Sequence, residues 1–398
     1  MKIKEVRARR IFNSNGGDAI EVEVESDVRT AKASIGAGTS VGKYEVNAYP
    51  ENINSIINLV NNVFSKELRN LQIEKFGDLK KVEDYVNGHD TSENMNKIGG
   101  NVLVALELAI LKACSNEPLY KILAKKKIKK MPIPLGNCLG GGKHSGGPDF
   151  QEYLILAETK KFDVAAEINR EVFNAVKGEL KKRDRNFIGG RGMEGGWNCS
   201  LNNLDALNVV RKAADKVGRE YKIDVRVGLD VAGGSLWNGR KYEYKNFSRG
   251  NPKKNLNSEE QLEFIRKTIR SNNLIYVEDP FHDNDFDSFK ELNKEACYIC
   301  GDDLIATNPI RLNEALKKIS AVIVKPNQIG SLLKVKEVIN IAKDNKIVPI
   351  ISHRSGETED NSIAHLAVGW ECPIIKTGIV GGERIAKLNE LLRISEEI

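Results

Sequence analysis

From residue 225 onward, six short apolar runs each end in a polar or charged side chain: VRVGL before Asp230, LIYV before Glu278, YICG before Asp302, AVIV before Lys325, VPIIS before His353 and PII before Lys376. Hard oxygen ligands with nearby water suit Mg2+ rather than zinc, which prefers nitrogen and sulfur. Asp230, Glu278 and Asp302 are therefore the candidate metal ligands. Lys325 follows an apolar run, where an ammonium is poorly solvated; beside a divalent cation its pKa falls and it can act as a base. A lysine that simply pairs with one of the acids is the competing reading. Proton abstraction next to a carboxylate leaves a doubly charged enediolate, which bound Mg2+ stabilises. In SHRSGETED (352–360), His353, Arg354 and Ser355 stand together at a strand end, and a guanidinium, a hydroxyl and backbone N–H groups make a phosphate clamp. Lys376 adds a second fixed cation; taken singly, each of these cations reads by default as a structural salt bridge. LGGGKHSGGPDFQEY (139–153) carries His144 in a loop and Gln151 and Glu152 at the strand that follows. GGRGMEGGWN (189–198) carries Glu194, a candidate general acid for a leaving hydroxide. For either loop alone, turn glycines around a solvated acid are the plainer alternative.

The elements that must position these residues follow from their spacing. The terminal residues of the six runs are 48, 24, 23, 28 and 23 positions apart. Apart from the first, each step suits one strand, one loop and one amphipathic helix, the rhythm of a parallel (β/α)8 barrel whose strand ends meet at one mouth. Asn308-Pro309 predicts a helix start with the asparagine as cap and proline in the first turn. Ser331 predicts the cap of the helix that follows, with Leu332, Val335, Val338, Ile339 and Ala342 on one face, and Arg384 to Ile394 predicts a further helix. The long first step contains GRKYEYKNFSRGNPKKNLNSEEQ (239–261), a polar insertion read as a lid over the mouth. Upstream, IEVEVES (20–26) alternates as a half-buried strand with a hairpin partner in AKASI. Helical spacing runs from Asn52 to Leu68, and VLVALELAILKAC (102–114) is apolar nearly all round, as a buried helix is. MPIP (131–134) marks the boundary between a small N-terminal α+β domain, residues 1–130, and an αβ barrel, residues 131–398.

The chain has 398 residues, 40% hydrophobic and 29% charged, enough for two domains with a sizeable core. No apolar run approaches the ~20 residues of a membrane span, and the N-terminus lacks a signal-peptide pattern. The expected setting is the cytoplasm, with neither membrane nor nucleic acid as partner. The net charge of +6 is spread over mixed-sign faces, and its one dense run, KKKIKK at 125–130, reads as a solvated inter-domain connection rather than a polyanion patch. Such a positive field helps attract a small anionic substrate. The six scattered cysteines read as buried reduced thiols.

Taken together, these residues resemble the enolase (phosphopyruvate hydratase) family. VEDPF, GDDL-x-x-TNP, KPNQIGS, SHRSGETED, IKTG and ERIAKLNELLRI match its signature segments in order, and the likeness runs from about Ala8 to the C-terminus. The resemblance implies an enolase-type αβ barrel, TIM-like but with first strands that are not all parallel, preceded by a small α+β capping domain. It implies a lyase that interconverts 2-phosphoglycerate and phosphoenolpyruvate in glycolysis and gluconeogenesis, and a homo-oligomer. Carried over position by position, Asp230, Glu278 and Asp302 would hold the high-affinity Mg2+, and Ser40 would help bind a second Mg2+ that arrives with substrate. Lys325 would remove the C2 proton, and Glu194, with Glu152 beside it, would protonate the departing C3 hydroxide. Lys376 would hold the substrate carboxylate, Arg354 and Ser355 the phosphate, and His144 and His353 would line the pocket. The chain departs from the family pattern where DSRGNPT reads NSNGGDA (13–19), where DEGG has Met193 for its aspartate, and where NGG-x-HAGN reads LGGGKHSGG. The alternatives are an enolase-like paralogue using another phospho-carboxylate, and a weakly active homologue with a binding role.

Overall fold

The structure is a computed structural model; it describes every residue except Ser40, Val41 and Gly146, together with the side chain of His144. The N-terminal region builds an antiparallel sheet from β1 (Ile3–Phe12), β2 (Asp18–Ser26) and β3 (Thr30–Ser34), in that spatial order. Alternation in β2 turns Ile20, Val22 and Val24 inward, each at most 1% exposed. The helix Gly100–Ala113 packs on this sheet and is buried on nearly every face, as its composition requires. The segment expected to be helical from Asn52 to Leu68 is helical, with a π-helical turn at Val60–Phe64.

Eight strands close the barrel: β4 (Ile133–Gly140), β5 (Glu152–Ala157), β6 (Val225–Asp230), then, after the hairpin of β7 (Tyr242–Tyr244) and β8 (Lys254–Leu256), β9 (Tyr276–Glu278), β10 (Tyr298–Gly301), β11 (Ala321–Val324), β12 (Val348–Ser352) and β13 (Ile374–Lys376). β5 runs antiparallel to both β4 and β6, and the other neighbouring pairs are parallel. The caps expected at Asn308 and Ser331 form, each side-chain oxygen accepting backbone N–H groups of the first turn.

Side-chain alternation sorts each strand into two faces. Leu135, Leu154, Leu156, Tyr276, Cys300, Ala321, Ile323, Ile350 and Ile374 form a closed apolar layer within the barrel. The intervening residues, such as Tyr153, Val277, Ile299, Val322 and Ile351, pack outward into the helices. All six cysteines are free.

The insertion at 239–261 is not a lid. Its hairpin is packed down, with Tyr242 0% and Tyr244 2% exposed. Tyr244 Oη donates to Gln261 Oε1 at 2.8 Å, and Asp149 accepts the Lys245 and Asn246 backbone N–H groups at 2.9 and 2.8 Å. Three buried or half-buried aromatic rings gave this polar segment a core of its own, an outcome that its charged composition concealed.

Candidate active site

The mouth residues are one alternation step beyond the apolar layer. Tyr276 is followed two residues later by Glu278, Cys300 by Asp302, Ile323 by Lys325 and Ile374 by Lys376, so each charged side chain points up the same interior. In the reversed strand β5 the step runs backward, from Leu154 to Glu152. Sheet register aligns them: Glu152 pairs with Asp230, and Asp230 with Glu278.

Lys376 Nζ is the centre of this ring. It lies 2.8 Å from Glu152 Oε2, 3.1 Å from Asp230 Oδ2, and 2.9 and 2.8 Å from the two oxygens of Glu278. Burial works against its charge, but Glu152, Glu278 and Asp230 outweigh burial and hold its pKa well above the ordinary lysine value. The carboxylates feel the opposite pressure. Burial, then Asp230, pushes Glu278 well up, and burial with Glu152 raises Asp230 despite Lys376. Tyr276 Oη donates to Glu278 at 2.6 Å, and Gln151 Nε2 to Asp230 at 3.2 Å.

Lys325 forms an ion pair with Asp302, and Gln328 Nε2 donates to the other Asp302 oxygen at 3.2 Å. Burial disfavours the Lys325 ammonium, yet Asp302 prevails and raises its pKa above that of free lysine. The pairing with Asp302 is the arrangement of the competing reading, whereas the lowered lysine pKa was expected only beside a divalent cation. Asp302 is correspondingly lowered, burial being overcome by Lys325.

Glu194 is delivered by a turn in which Gly195 has φ +85, and a Cβ there would meet Val380 O at 2.5 Å. His353 Nε2 lies 3.4 Å from Glu194 Oε2, and Glu152, Glu194 and His353 each place an atom within 4.8 Å of the others. Arg354 Nη1 donates to Asn327 Oδ1 at 2.7 Å, and Nη2 lies 2.9 Å from Glu45 Oε2. Ser355 Oγ accepts from Thr39 N at 2.9 Å and is 3.1 Å from Thr39 Oγ1. Of the residues singled out from sequence, Ser40 and the His144 side chain lie outside the described residues. The rest gather at this mouth.

Sequence reasoning missed Asp279, Asp303 and Glu45. Carboxylate oxygens of Asp279, Asp302 and Asp303 lie within 4.8 Å of one another, and Asp279 accepts the backbone N–H groups of Asp302 and Asp303 at 2.9 and 2.6 Å. Burial and then Asp303 push Asp279 well up; the protein around Asp303, and then Asp302, push Asp303 up to about 7, although its own side chain reaches solvent. The doubled acids of VED and GDD were the available signal. Glu45 had none, because its partner Arg354 is 309 positions away.

A cavity of about 270 Å3 opens over these groups, lined by Glu194, Asp230, Asp302, Lys325, Arg354 and Ser355 among others. Its described lining carries seven carboxylates against four cations. Asp230 and Glu278, whose charge burial opposes, and Asp302, whose charge Lys325 sustains, are buried hard-oxygen donors of the kind a hard dication such as Mg2+ takes.

Two family models cover the chain: the enolase N-terminal domain over residues 3–123 and the enolase C-terminal TIM barrel domain over residues 128–398. The chain is similar to the enolases of Methanosphaera stadtmanae, Methanothermobacter thermautotrophicus and Pyrobaculum aerophilum. Each is 39% identical over 100% of this chain and 97% of the relative.

Proposed function

This chain belongs to the enolase family, and from that premise we propose how its own residues carry out the reversible dehydration of 2-phosphoglycerate to phosphoenolpyruvate. The protein is a hydro-lyase. The observation that supports the division of labour is that Lys325 and Glu194, a base and an acid, line one cavity together with Asp230, Asp302, Arg354 and Ser355.

Mg2+ held by Asp230, Glu278 and Asp302 supplies the positive charge that a doubly charged carboxylate intermediate needs. Ser40, which lies outside the described residues, would help to hold a second Mg2+ together with substrate. Arg354 and Ser355 bind the phosphate, exchanging Glu45 and Thr39 for it. Lys376 faces the substrate carboxylate, and His144 and His353 line the pocket. Lys325 takes the C2 proton. Asp302 favours the Lys325 ammonium; Mg2+ on Asp302 would share that carboxylate's charge and so favour the neutral amine that a base needs. Glu194, with Glu152 beside it, gives a proton to the C3 hydroxide, which leaves as water. We also place the enzyme in the cytoplasm as a homo-oligomer acting on a small phosphorylated carboxylate in glycolysis and gluconeogenesis; among the described residues no helix is long and apolar enough to cross a membrane.

Purified protein with Mg2+ and 2-phosphoglycerate should raise the absorbance of phosphoenolpyruvate, and Lys325→Ala should lower kcat by about 10²–10⁴-fold. Wild-type protein that binds Mg2+ through the three acids yet makes no product would point instead to a paralogue with another phospho-carboxylate substrate.

A further inference from the structure

Arg384 is a buried cation that the mechanism does not use. Arg384 stands in the first turn of the helix Gly382–Glu397, with 0% of its surface exposed. Its Nη1 lies 2.6 Å from His353 Nδ1 and donates to Arg354 O at 2.9 Å. Its Nη2 donates to Met193 O at 2.9 Å and to Ser355 O at 3.2 Å. One guanidinium therefore joins the turn that carries Glu194 to the strand end that carries His353, Arg354 and Ser355.

The chemistry of that contact is restrictive. A guanidinium has only N–H donors and stays charged wherever the protein is folded, so Nδ1 of His353 must be the acceptor. A neutral imidazole whose Nδ1 accepts carries its proton on Nε2. That nitrogen is the one facing Glu194 Oε2 at 3.4 Å. An imidazolium would set an N–H against the N–H of a cation.

We propose that Arg384 is a positioning residue that fixes His353 as the neutral Nε2–H tautomer, making His353 a hydrogen-bond donor to Glu194 and never a proton carrier. This rests on the reading of Glu194 as the acid. When Glu194 has passed its proton to the departing hydroxide, the resulting carboxylate faces the His353 Nε2–H 3.4 Å away, a donor directed at the charge that has just formed. The groups facing His353 are Arg384 from the helix, Glu194 from the glycine turn, Glu152 from β5, Glu357 from the turn that follows, and Lys376 from β13. Burial and then Arg384 hold the imidazole pKa well below its usual value, against the pull of Glu152 and Glu357. Met193, at the family's acidic position, meets Arg384 through its backbone carbonyl.

The test uses the full chain labelled with 15N-histidine, without substrate, its five histidines resolved by 1H–15N correlation and His353 assigned by loss of its signal in His353→Gln. In wild type, His353 should show a bare Nδ1 and a protonated Nε2, unchanged from about pH 5 to 8. In Arg384→Met the residue should titrate in that range, and kcat should fall on the order of tenfold to a hundredfold, as when the outer partner of a metal-bound histidine is removed. The kcat profile should gain an acidic limb at the same pH. Arg384→Lys, whose ammonium also only donates, should restore the Nε2–H form and remove that limb. A wild-type His353 protonated on Nδ1, or an Arg384→Met protein that keeps a non-titrating Nε2–H, overturns the proposal. If Arg384→Met does not fold, Arg384→Lys decides alone, and loss of the Nε2–H form there overturns it. An inactive wild type would sink the assignment of the reaction while leaving the tautomer result to be read separately.

Discussion

The barrel interior changes character across a single layer of side chains. Below, Leu154, Tyr276, Cys300, Ile323 and Ile374 close an apolar layer, each at most 5% exposed. One alternation step up the same strands, Glu152, Glu278, Asp302 and Lys376 crowd into burial beside the half-buried Lys325. The lower layer is held by the removal of apolar surface from water, which has no counter-charge to lose and no proton to exchange. The upper layer is held by a balance in which each lysine offsets carboxylates that burial would otherwise neutralise. The same strands can carry both because alternation gives each layer its own ring of positions. Stability is concentrated in one ring and reactivity in the other.

The comparison is broken most severely at Glu194. Glu194→Gln keeps the size of the side chain and removes the proton to be donated, so kcat should fall about 10²–10⁴-fold with the circular-dichroism spectrum unchanged. Next is Lys376→Met, which leaves Glu152, Asp230 and Glu278 buried without their shared cation. In chelator, its unfolding free energy should drop by about 3–5 kcal/mol, as when one partner of a buried pair is deleted. Excess Mg2+ should recover part of that loss, and a urea midpoint that ignores Mg2+ would show that Asp230, Glu278 and Asp302 do not hold the ion. Leu156→Ala, in the apolar layer, should cost about 2–4 kcal/mol of stability and leave kcat as it was. A large loss of kcat in this folded variant would mean that the two layers are not separable.

The smallest effect is in pH dependence, where the signs of two regions differ. Glu278 and Asp279 are raised, chiefly by burial, so the folded protein binds more protons than the unfolded chain between the ordinary carboxylate range and their raised values. Metal-free stability contributed by the mouth should therefore fall as pH rises through that window. At the seam between cap and barrel, Lys112 pairs with Asp360 at 2.8 Å and Lys387 with Glu357 at 2.8 Å. Burial would raise both acids, but their lysines win and lower them. Their stabilisation is present above the unfolded carboxylate pKa and is lost as pH falls through the lowered folded values. Denaturant midpoints in chelator should thus fall less steeply with rising pH in Asp279→Asn than in wild type, while Lys112→Met should lower stability at neutral pH, with the gap to wild type closing as pH falls through the lowered Asp360 value.

Much of the mouth was legible because a strand end is a local event. An apolar run and the residue that closes it lie within six positions, and the spacing between runs follows from the length of a helix and two loops. The doubled acids were half-read: Glu278 and Asp302 stood out, while Asp279 and Asp303 beside them did not, because nothing in the sequence says which of two adjacent acids turns inward. The insertion at 239–261 was misread for a related reason, since Tyr244 and Phe247 look like isolated aromatics until Phe264 and Phe150 are placed against them.

The sequence by itself determined the order of strands, the caps at Asn308 and Ser331, the inward face of each strand and the chemical types available at the mouth, all consequences of backbone geometry over a few residues. Only the tertiary structure decided that β5 runs backward and so brings Glu152 to Lys376, that Lys325 rests on Asp302, that Glu45 reaches Arg354, and that Arg384 faces the Nδ1 side of His353. Those pairings depend on closure of the barrel and seating of the cap. Burial then turns each contact into a shifted protonation state, and burial belongs to the whole fold and to no single segment.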